Sequence, residues 1–165
     1  MHRTWMLRDL QSAALASMLL SAVSIPAASA ADKQEGMMRA INPRNATIPG
    51  ISQAMKVGSG SLLFLSGHVP IGASGETVGD DLGAQLTQVF TNMRVTLRAA
   101  GADFSHVARL TIYVRDYTPK DLTAIRSVRD TFVNADQPPA SALIGVASLF
   151  RPDVRVEVDA VAVLP

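Results

Sequence analysis

The 165-residue chain contains no cysteine, which excludes disulfides, a thiol nucleophile and cysteine-ligated metal sites. Aromatic residues make up only 5% of the chain and the formal net charge is +1, so the sequence lacks the basic, aromatic surface of a nucleic-acid-binding protein. It also lacks a G-x-S-x-G nucleophile motif and a phosphate-binding glycine loop. A hydrophobic content of 48% instead indicates one globular domain.

The first thirty residues resemble a secretory signal peptide. Arg3 and Arg8 precede the uncharged run Ala13–Ile25, which is followed by Pro26 and then by Ala28-Ser29-Ala30. Signal peptidase accepts small residues in this small-x-small pattern. We therefore expect cleavage, a periplasmic or secreted protein and no stable membrane insertion afterwards. A retained membrane anchor is the alternative, because the uncharged stretch is long enough to cross a bilayer.

Three regions follow from the patterning. Residues 1–30 form the signal segment, residues 31–48 are polar and predict an irregular lead-in, and residues 49–165 carry the periodicities of a folded domain. Removal of the signal segment leaves a chain of balanced charge, since it takes away two arginines and one aspartate.

Alternating residues, a short apolar run and β-branched segments together predict five strands. Ser52–Val57 and Leu62–Ser66 flank a Gly-Ser-Gly turn and predict a hairpin, with the second strand covered on both sides. Three later segments, Val107–Val114, Ser141–Ala147 and Val154–Val163, complete the set.

Two helices are predicted between these strands. The first has apolar residues at helical spacing from Leu82 to Leu97, with Asp80 and Asp81 before it and Gly101 after it. The second begins at Thr118-Pro119-Lys120-Asp121, which matches a capping box with proline at the first helical position. Its apolar face comprises Leu122, Ile125, Val128 and Phe132.

The order β-β-α-β-α-β-β favours an α+β fold with both helices on one face of a mixed or antiparallel sheet. The other face of the sheet would then stay apolar and wet in a monomer. Val156, Val158 and Ala160 are the candidates for that face, and we expect further subunits to cover it.

Glu157 and two arginines are the candidates for chemistry. Glu157 lies on the last strand among apolar neighbours, either facing water or placed in a cleft or a subunit interface where a carboxylate can transfer protons. Arg126 and Arg129 lie three residues apart on the second helix. They form either a solvated face, with Arg126 paired to Asp130, or a cationic wall for an anionic ligand. The spacing of His68 and His106 predicts no metal site.

Several separated motifs resemble the YjgF/RidA (reactive intermediate deaminase) family over about residues 49–165. They are Ser52-Gln53-Ala54, Val57-Gly58, Leu65–Pro70, Gly75-Glu76, Pro138-Pro139-Ala140, Gly145-Val146-Ala147 and Val156–Ala162. The resemblance implies a chorismate-mutase-like α+β fold and a homotrimer with a small-molecule cleft between adjacent subunits. It also implies cofactor-free hydrolysis of 2-imino or enamino acids to 2-keto acids and ammonia.

The same resemblance assigns the candidate site residues. Glu157 matches the glutamate that positions the attacking water, and Ser66 and Gly67 match the strand end whose backbone lines the cleft. Three further positions depart from the family: Ser141 replaces the carboxylate-binding arginine, Ile51 replaces a cleft tyrosine and Arg126 replaces an asparagine. Leu143 occupies a cleft-lining position.

The absent arginine leaves two hypotheses open. A serine donates one neutral hydrogen bond where a guanidinium donates two charge-assisted ones, a difference of about 1.5–3 kcal/mol. The chain is therefore either a divergent imine deaminase that uses Glu157, with Arg126 as a replacement cation, or a non-catalytic trimer that binds a small ligand in the same cleft.

Overall fold

The computed structural model describes residues 36–45 and 48–165, so the signal-peptide prediction lies outside the described residues. The elements within these ranges are β1 (Met38–Ile41), β2 (Ala54–Val57), β3 (Ser61–His68), α1 (Leu82–Ala99), β4 (Val107–Arg115), α2 (Leu122–Arg129), β5 (Ala140–Val146) and β6 (Val156–Leu164). From β2 onward this is the predicted α+β order, with strand boundaries within two residues of those expected.

The main sheet has the strand order β3-β6-β4-β5. Strands β4 and β5 run parallel, and the other neighbouring pairs are antiparallel. Along β6, Val156, Val158 and Ala160 are buried in the core beneath α1, whereas the alternate residues Glu157 and Asp159 are only half-buried. The period of two along a strand therefore separates a core face from a second face.

Helix α1 has the predicted cap and the predicted apolar face. The side chain of Asp81 accepts a hydrogen bond of 2.8 Å from the Ala84 backbone N–H, which satisfies one donor of the first turn. Gln85, a buried polar residue of the helix, binds the backbone of the segment that precedes β6. Its Nε2 donates to the Asp153 carbonyl at 2.9 Å, and its Oε1 accepts from the Arg155 N–H at 2.7 Å.

Helix α2 starts as predicted but ends earlier. The N–H and hydroxyl of Thr118 both donate to Asp121 Oδ2, at 2.7 and 3.0 Å, in a short 3₁₀ turn that precedes the helix. The helix ends at Arg129, so Phe132 lies beyond it. Phe132 instead packs on Phe90, with ring centroids 5.0 Å apart, because an aromatic cluster closes the core here.

The predicted hairpin is wrong, and the segment expected to be an irregular lead-in contains a strand. β1 pairs antiparallel with β2 in a separate two-stranded sheet, whereas β3 pairs with β6. Methionine side chains account for this arrangement: Met38 is buried with Ala108 and Val163, and Met55 packs against the same cluster. Removal of these thioethers from water stabilises the small sheet on the end of the main one.

The uncovered face of the main sheet is also not the one expected. Val156, Val158 and Ala160 face the helices, so the opposite face is the one left open. Leu62, Phe64 and Ile144 are 52%, 73% and 40% exposed on this side, which we call the open face. β3 is thus covered on one side only within the chain, contrary to the prediction.

No helix in the part of the chain that the structure describes has the length and hydrophobicity needed to cross a bilayer.

The N-cap of α1 provides a test of this fold. Asp81→Ala removes the acceptor for the Ala84 N–H and should lower the free energy of unfolding by about 0.5–2 kcal/mol. The neighbouring Asp80→Ala is the control, since Asp80 is exposed and the cap does not use it. Denaturant unfolding at one fixed protomer concentration compares the variants. Equal losses for both would contradict the capping role.

Candidate functional site

One pocket, of about 160 Å³, lies between β5 and α2. Its lining includes the four residues Ile51, Arg126, Ser141 and Leu143, to which the family resemblance assigned cleft positions. Aliphatic side chains form most of the remaining wall, and Arg129 adds a second cation. We call this cavity the β5 pocket.

The segment around Ile51 reaches the β5 pocket because Ser52 ties it to the start of β5. The buried hydroxyl of Ser52 donates to the Pro138 carbonyl at 2.6 Å, and its N–H donates to the Pro139 carbonyl at 3.1 Å. Two chain segments almost ninety residues apart are thereby joined at one edge of the sheet. The hydrogen-bonding serine of the Ser52-Gln53-Ala54 motif is therefore a structural residue of the site.

A second cavity, of about 230 Å³, contains Glu157. Gly67, Val69 and Phe150 complete its lining, and we call it the β6 pocket. The Glu157 side chain lies directly against Gly67: a Cβ atom at position 67 would stand 2.7 Å from Glu157 Cδ. A side chain at this position would displace the Glu157 carboxylate, so glycine is what allows the two residues to lie in contact.

A β-bulge shapes the β6 pocket. Leu65 pairs with Ala160 and His68 pairs with Val158, so three steps along β3 match two along β6, and Ser66 and Gly67 occupy the irregularity. Bulges bend a strand and release backbone groups from the ladder. His68 fastens the bulge: its Nδ1 donates to the Ser66 carbonyl at 2.8 Å. On the other side of the ring, Nε2 lies 2.8 Å from the Thr96 hydroxyl of α1.

The two pockets lie on opposite faces of the main sheet. Leu143 pairs with Ile112, whose buried side chain also lines the β5 pocket on the helix side. Tyr113 is the next residue along β4, and it pairs with Glu157. Successive residues of a strand point to opposite faces, so Glu157 and the β5 pocket are separated by the sheet. A single site that uses both must take its two halves from two chains.

The environment of Arg129 differs from the sequence interpretation. Of the two alternatives for the arginine pair, the solvated helix face does not describe Arg129, which is 6% exposed. Asp130 pairs with Arg129 rather than with Arg126: Arg129 Nε donates to Asp130 Oδ1 at 2.8 Å. Arg126 is exposed. The three-residue spacing indicated two neighbouring cations but could not show which one the fold buries.

Sequence reasoning did not single out Phe150, which lines the β6 pocket although it is 62% exposed. Phe150 lies in an irregular segment before β6, where no periodicity marks its role. Within residues 36–45 and 48–165, no three His, Asp or Glu side chains are grouped so that they could hold a metal ion.

Comparison with known proteins gives consistent results. The family model described as Endoribonuclease L-PSP matches residues 43–164. Protein DfrA of Myxococcus xanthus is 40% identical over 113 residues, which cover 68% of this chain and 83% of the relative. A 2-iminobutanoate/2-iminopropanoate deaminase of Dermatophagoides farinae is 32% identical over 114 residues, 68% of this chain and 84% of the relative.

A solved structure also matches. It is that of a Yersinia pestis protein described as YyfB of the conserved Rid protein family, with 38% identity and a TM-score of 0.73 over 78% of this chain and all of the other. This likeness confirms the fold class predicted from the sequence.

The open face carries a tyrosine–carboxylate pair that can be titrated. Tyr113 Oη donates to Asp159 Oδ2 at 3.0 Å. This hydrogen bond, with desolvation and the charge of Asp159, raises the pKa of Tyr113 above its ordinary value. The folded state thus holds this proton more tightly than the unfolded state. The stability it contributes is complete below the unfolded pKa and is lost as the pH rises through the folded one.

We therefore expect a delayed tyrosinate absorbance phase in an alkaline titration. Tyr113→Phe should abolish this phase and Asp159→Asn should shift it to lower pH, whereas Tyr117→Phe, which removes the other tyrosine of the chain, should leave it in place. An unaltered phase in Asp159→Asn would show that the carboxylate does not hold the phenol.

Proposed function

Since the chain belongs to the YjgF/RidA family and has a RidA-like function, we propose that it hydrolyses small imines or enamines to keto compounds and ammonia. The reaction takes place in clefts between adjacent subunits of a homotrimer. The observation that carries this proposal is the position of Glu157, held against Gly67 on the face of the sheet opposite the β5 pocket. A cleft formed by the β6 pocket of one chain and the β5 pocket of the next supplies both halves.

Glu157 has the chemistry that the reaction needs. Water attacks the carbon of the C=N group, and the carboxylate accepts a water proton as the new C–O bond forms. The nitrogen takes up a proton, and the resulting carbinolamine expels ammonia to leave the C=O group. Because the carboxylate already lies in the β6 pocket beside Gly67 and the bulge, the proton acceptor is next to the substrate when it binds, and this proximity lowers the entropic part of the barrier.

The open face supports the trimer. In a monomer, Leu62, Phe64 and Ile144 would expose apolar side chains over a sheet surface that no helix covers. A closed ring of three chains would bury this surface in every subunit. The same packing would bring each β6 pocket towards the β5 pocket of a neighbour.

The absence of an arginine at position 141 favours a second candidate function. Ser141 lines the β5 pocket with a short neutral side chain. A trimer that binds a small ligand without converting it would keep the pocket and would not need Glu157 as a proton acceptor. Measurement of 2-iminobutyrate hydrolysis separates the two candidates.

Location and partners belong to the same proposal. The basic start and apolar run before residue 31 support export to the periplasm or beyond. The balanced charge of the remaining chain supports a small-molecule ligand rather than nucleic acid. The substrate would then be an imine or enamine formed outside the cytoplasm.

Glu157→Gln tests the catalytic assignment. The amide keeps the size of the side chain but cannot accept the proton, so kcat/KM for freshly generated 2-iminobutyrate should fall about 100-fold or more. Glu76→Gln makes the same chemical change at an exposed position outside both pockets and should have no effect. Wild-type activity that survives Glu157→Gln would contradict the assignment. An inert wild type that still binds 2-oxobutyrate would favour the binding trimer.

The assembly has its own test. Light scattering on the protein expressed from the full-length chain should give three times the protomer mass, and a stable monomer at micromolar concentration would contradict the trimer.

Mixed trimers then test whether the two pockets meet. Glu157→Gln removes the proton acceptor from the β6 pocket, and Ser141→Phe fills the β5 pocket. Each variant alone should be inactive. Co-expressed at equal levels, they should regain about a quarter of wild-type activity, because random assembly leaves that share of clefts with two intact halves. A chain carrying both substitutions is the control and should regain none. Mixed trimers without recovery would show that the halves do not meet.

A further inference from the structure

Phe150 is a large apolar side chain that the fold leaves in water beside the candidate proton acceptor. It is 62% exposed and lies in the segment between β5 and β6, where it lines the β6 pocket together with Glu157. Phe90, Phe104 and Phe132, in contrast, pack against one another in the core. An exposed ring gains little from the hydrophobic effect, so the stability of the chain alone does not account for its position.

The segment next to the ring is held by hydrogen bonds of Arg151. The guanidinium donates to both carboxylate oxygens of Asp153, from Nε at 3.1 Å and from Nη2 at 2.9 Å, and its Nη1 donates to the Gly75 carbonyl at 3.2 Å. A guanidinium that binds both oxygens of a carboxylate has a defined geometry. The residue directly after Phe150 is therefore tied to the turn that follows β3.

Two further contacts hold the same segment against the folded domain. The buried Gln85 of α1 binds the Asp153 carbonyl and the Arg155 N–H, at 2.9 and 2.7 Å. The guanidinium of Arg115, at the end of β4, donates to the Pro152 carbonyl. Since these bonds already exist without a ligand, the backbone beside Phe150 does not need to be ordered when a ligand binds, which removes one cost of binding.

The β6 pocket combines one carboxylate with apolar surface. Phe150 and Val69 supply hydrocarbon, Gly67 supplies backbone, and Glu157 is the ionisable residue of the lining. The pocket measures about 230 Å³, whereas a dry cavity of about 150 Å³ already accommodates benzene. A substrate whose reacting carbon lies beside Glu157 therefore has room to place a branched or aromatic substituent against Phe150.

We propose that Phe150 determines substrate specificity: its ring packs on a large apolar substituent of the imine carbon, aromatic above all, and so favours such substrates over those with a methyl or ethyl group. Aromatic rings in offset or edge-to-face contact gain more than the removal of their surfaces from water alone provides. Proton transfer remains the role of Glu157. This inference rests on the proposed function for the reaction and the site, and it adds the substrate class.

The experiment compares the imines that an L-amino acid oxidase generates from phenylalanine, from leucine and from 2-aminobutyrate. Values of kcat/KM are measured above the uncatalysed hydrolysis. The wild type should prefer the phenylalanine-derived imine to 2-iminobutyrate. Phe150→Ala should lower kcat/KM about 10-fold for the phenylalanine-derived imine and less than about threefold for 2-iminobutyrate, because the larger substituent makes more contact with the ring.

Phe150→Leu separates the ring from its bulk. Leucine keeps an apolar side chain, so kcat/KM for the leucine-derived imine should fall only about twofold, whereas the phenylalanine-derived imine loses its aromatic partner and should fall about fivefold. Val95→Ala is the matched control and should leave all three values unchanged. It truncates another exposed apolar side chain, which lies on α1 outside both pockets. Circular dichroism and light scattering check folding and assembly, and Phe150→Leu carries the test if Phe150→Ala does not assemble.

Binding gives a readout that does not depend on turnover. Calorimetry measures the dissociation constants of phenylpyruvate and 2-oxobutyrate. Phenylpyruvate should bind the wild type more tightly, and Phe150→Ala should weaken its binding about 10-fold while changing that of 2-oxobutyrate less than about threefold. This pattern in a protein that hydrolyses none of the imines supports the preference assigned to Phe150 and contradicts the catalytic proposal.

The remaining outcomes also separate the two proposals. Hydrolysis in which the wild type and Phe150→Ala show the same ratio of kcat/KM, phenylalanine-derived imine over 2-iminobutyrate, overturns the inference and leaves the catalytic proposal in place. A wild type that prefers 2-iminobutyrate overturns the inference as well. A wild type that neither hydrolyses the imines nor binds the keto acids contradicts both.

Discussion

The alternation of side chains along β6 is the constraint on which the rest of the molecule depends. Val156, Val158 and Ala160 enter the core beneath α1, and this places Glu157 and Asp159 on the open face. A shift of the strand by one residue would bury both carboxylates and expose the valines, so packing of the core also fixes the direction of Glu157. The side chain with the strongest claim to chemistry is therefore positioned by the hydrophobic effect acting on its neighbours.

Local contacts then shape the two pockets on the faces that the strand period defines. The bulge at Ser66 and Gly67 brings backbone without a side chain against the Glu157 carboxylate, and His68 joins this bulge to Thr96 of α1. On the other side of the sheet, the Ser52 hydroxyl fastens the segment of Ile51 to the start of β5. Each contact joins parts of the chain that are distant in sequence, which makes both pockets depend on the complete fold rather than on one motif.

Periodicity and capping signals predict the bounds of α1, of β4 to β6 and of the start of α2. Each of these elements carries its own hydrophobic repeat or cap in the sequence. The sequence does not show which strands pair with each other. The Gly-Ser-Gly turn indicates a hairpin of β2 and β3, but β2 pairs with β1. β1 has only four residues and no clear alternation of apolar and polar side chains, so the sequence does not reveal it. The open face was assigned to the wrong side for a related reason: alternation shows that β6 has two faces but not which one the helices cover. The position of α1 decides that, and it is a tertiary property.

The contrast between Ser141 and Arg129 shows why a site is better understood from its cavity than from matched positions alone. A residue-by-residue comparison points to position 141, which carries a serine, and to Arg126, which is exposed. Arg129 lies one turn further along α2, where it lines the same pocket and is buried. A buried guanidinium needs a nearby negative charge, and Asp130 Oδ1 supplies it at 2.7 Å from Nη2. The sequence shows the two arginines as neighbours, but the packing of α2 decides which of them is removed from water and therefore which one needs the carboxylate.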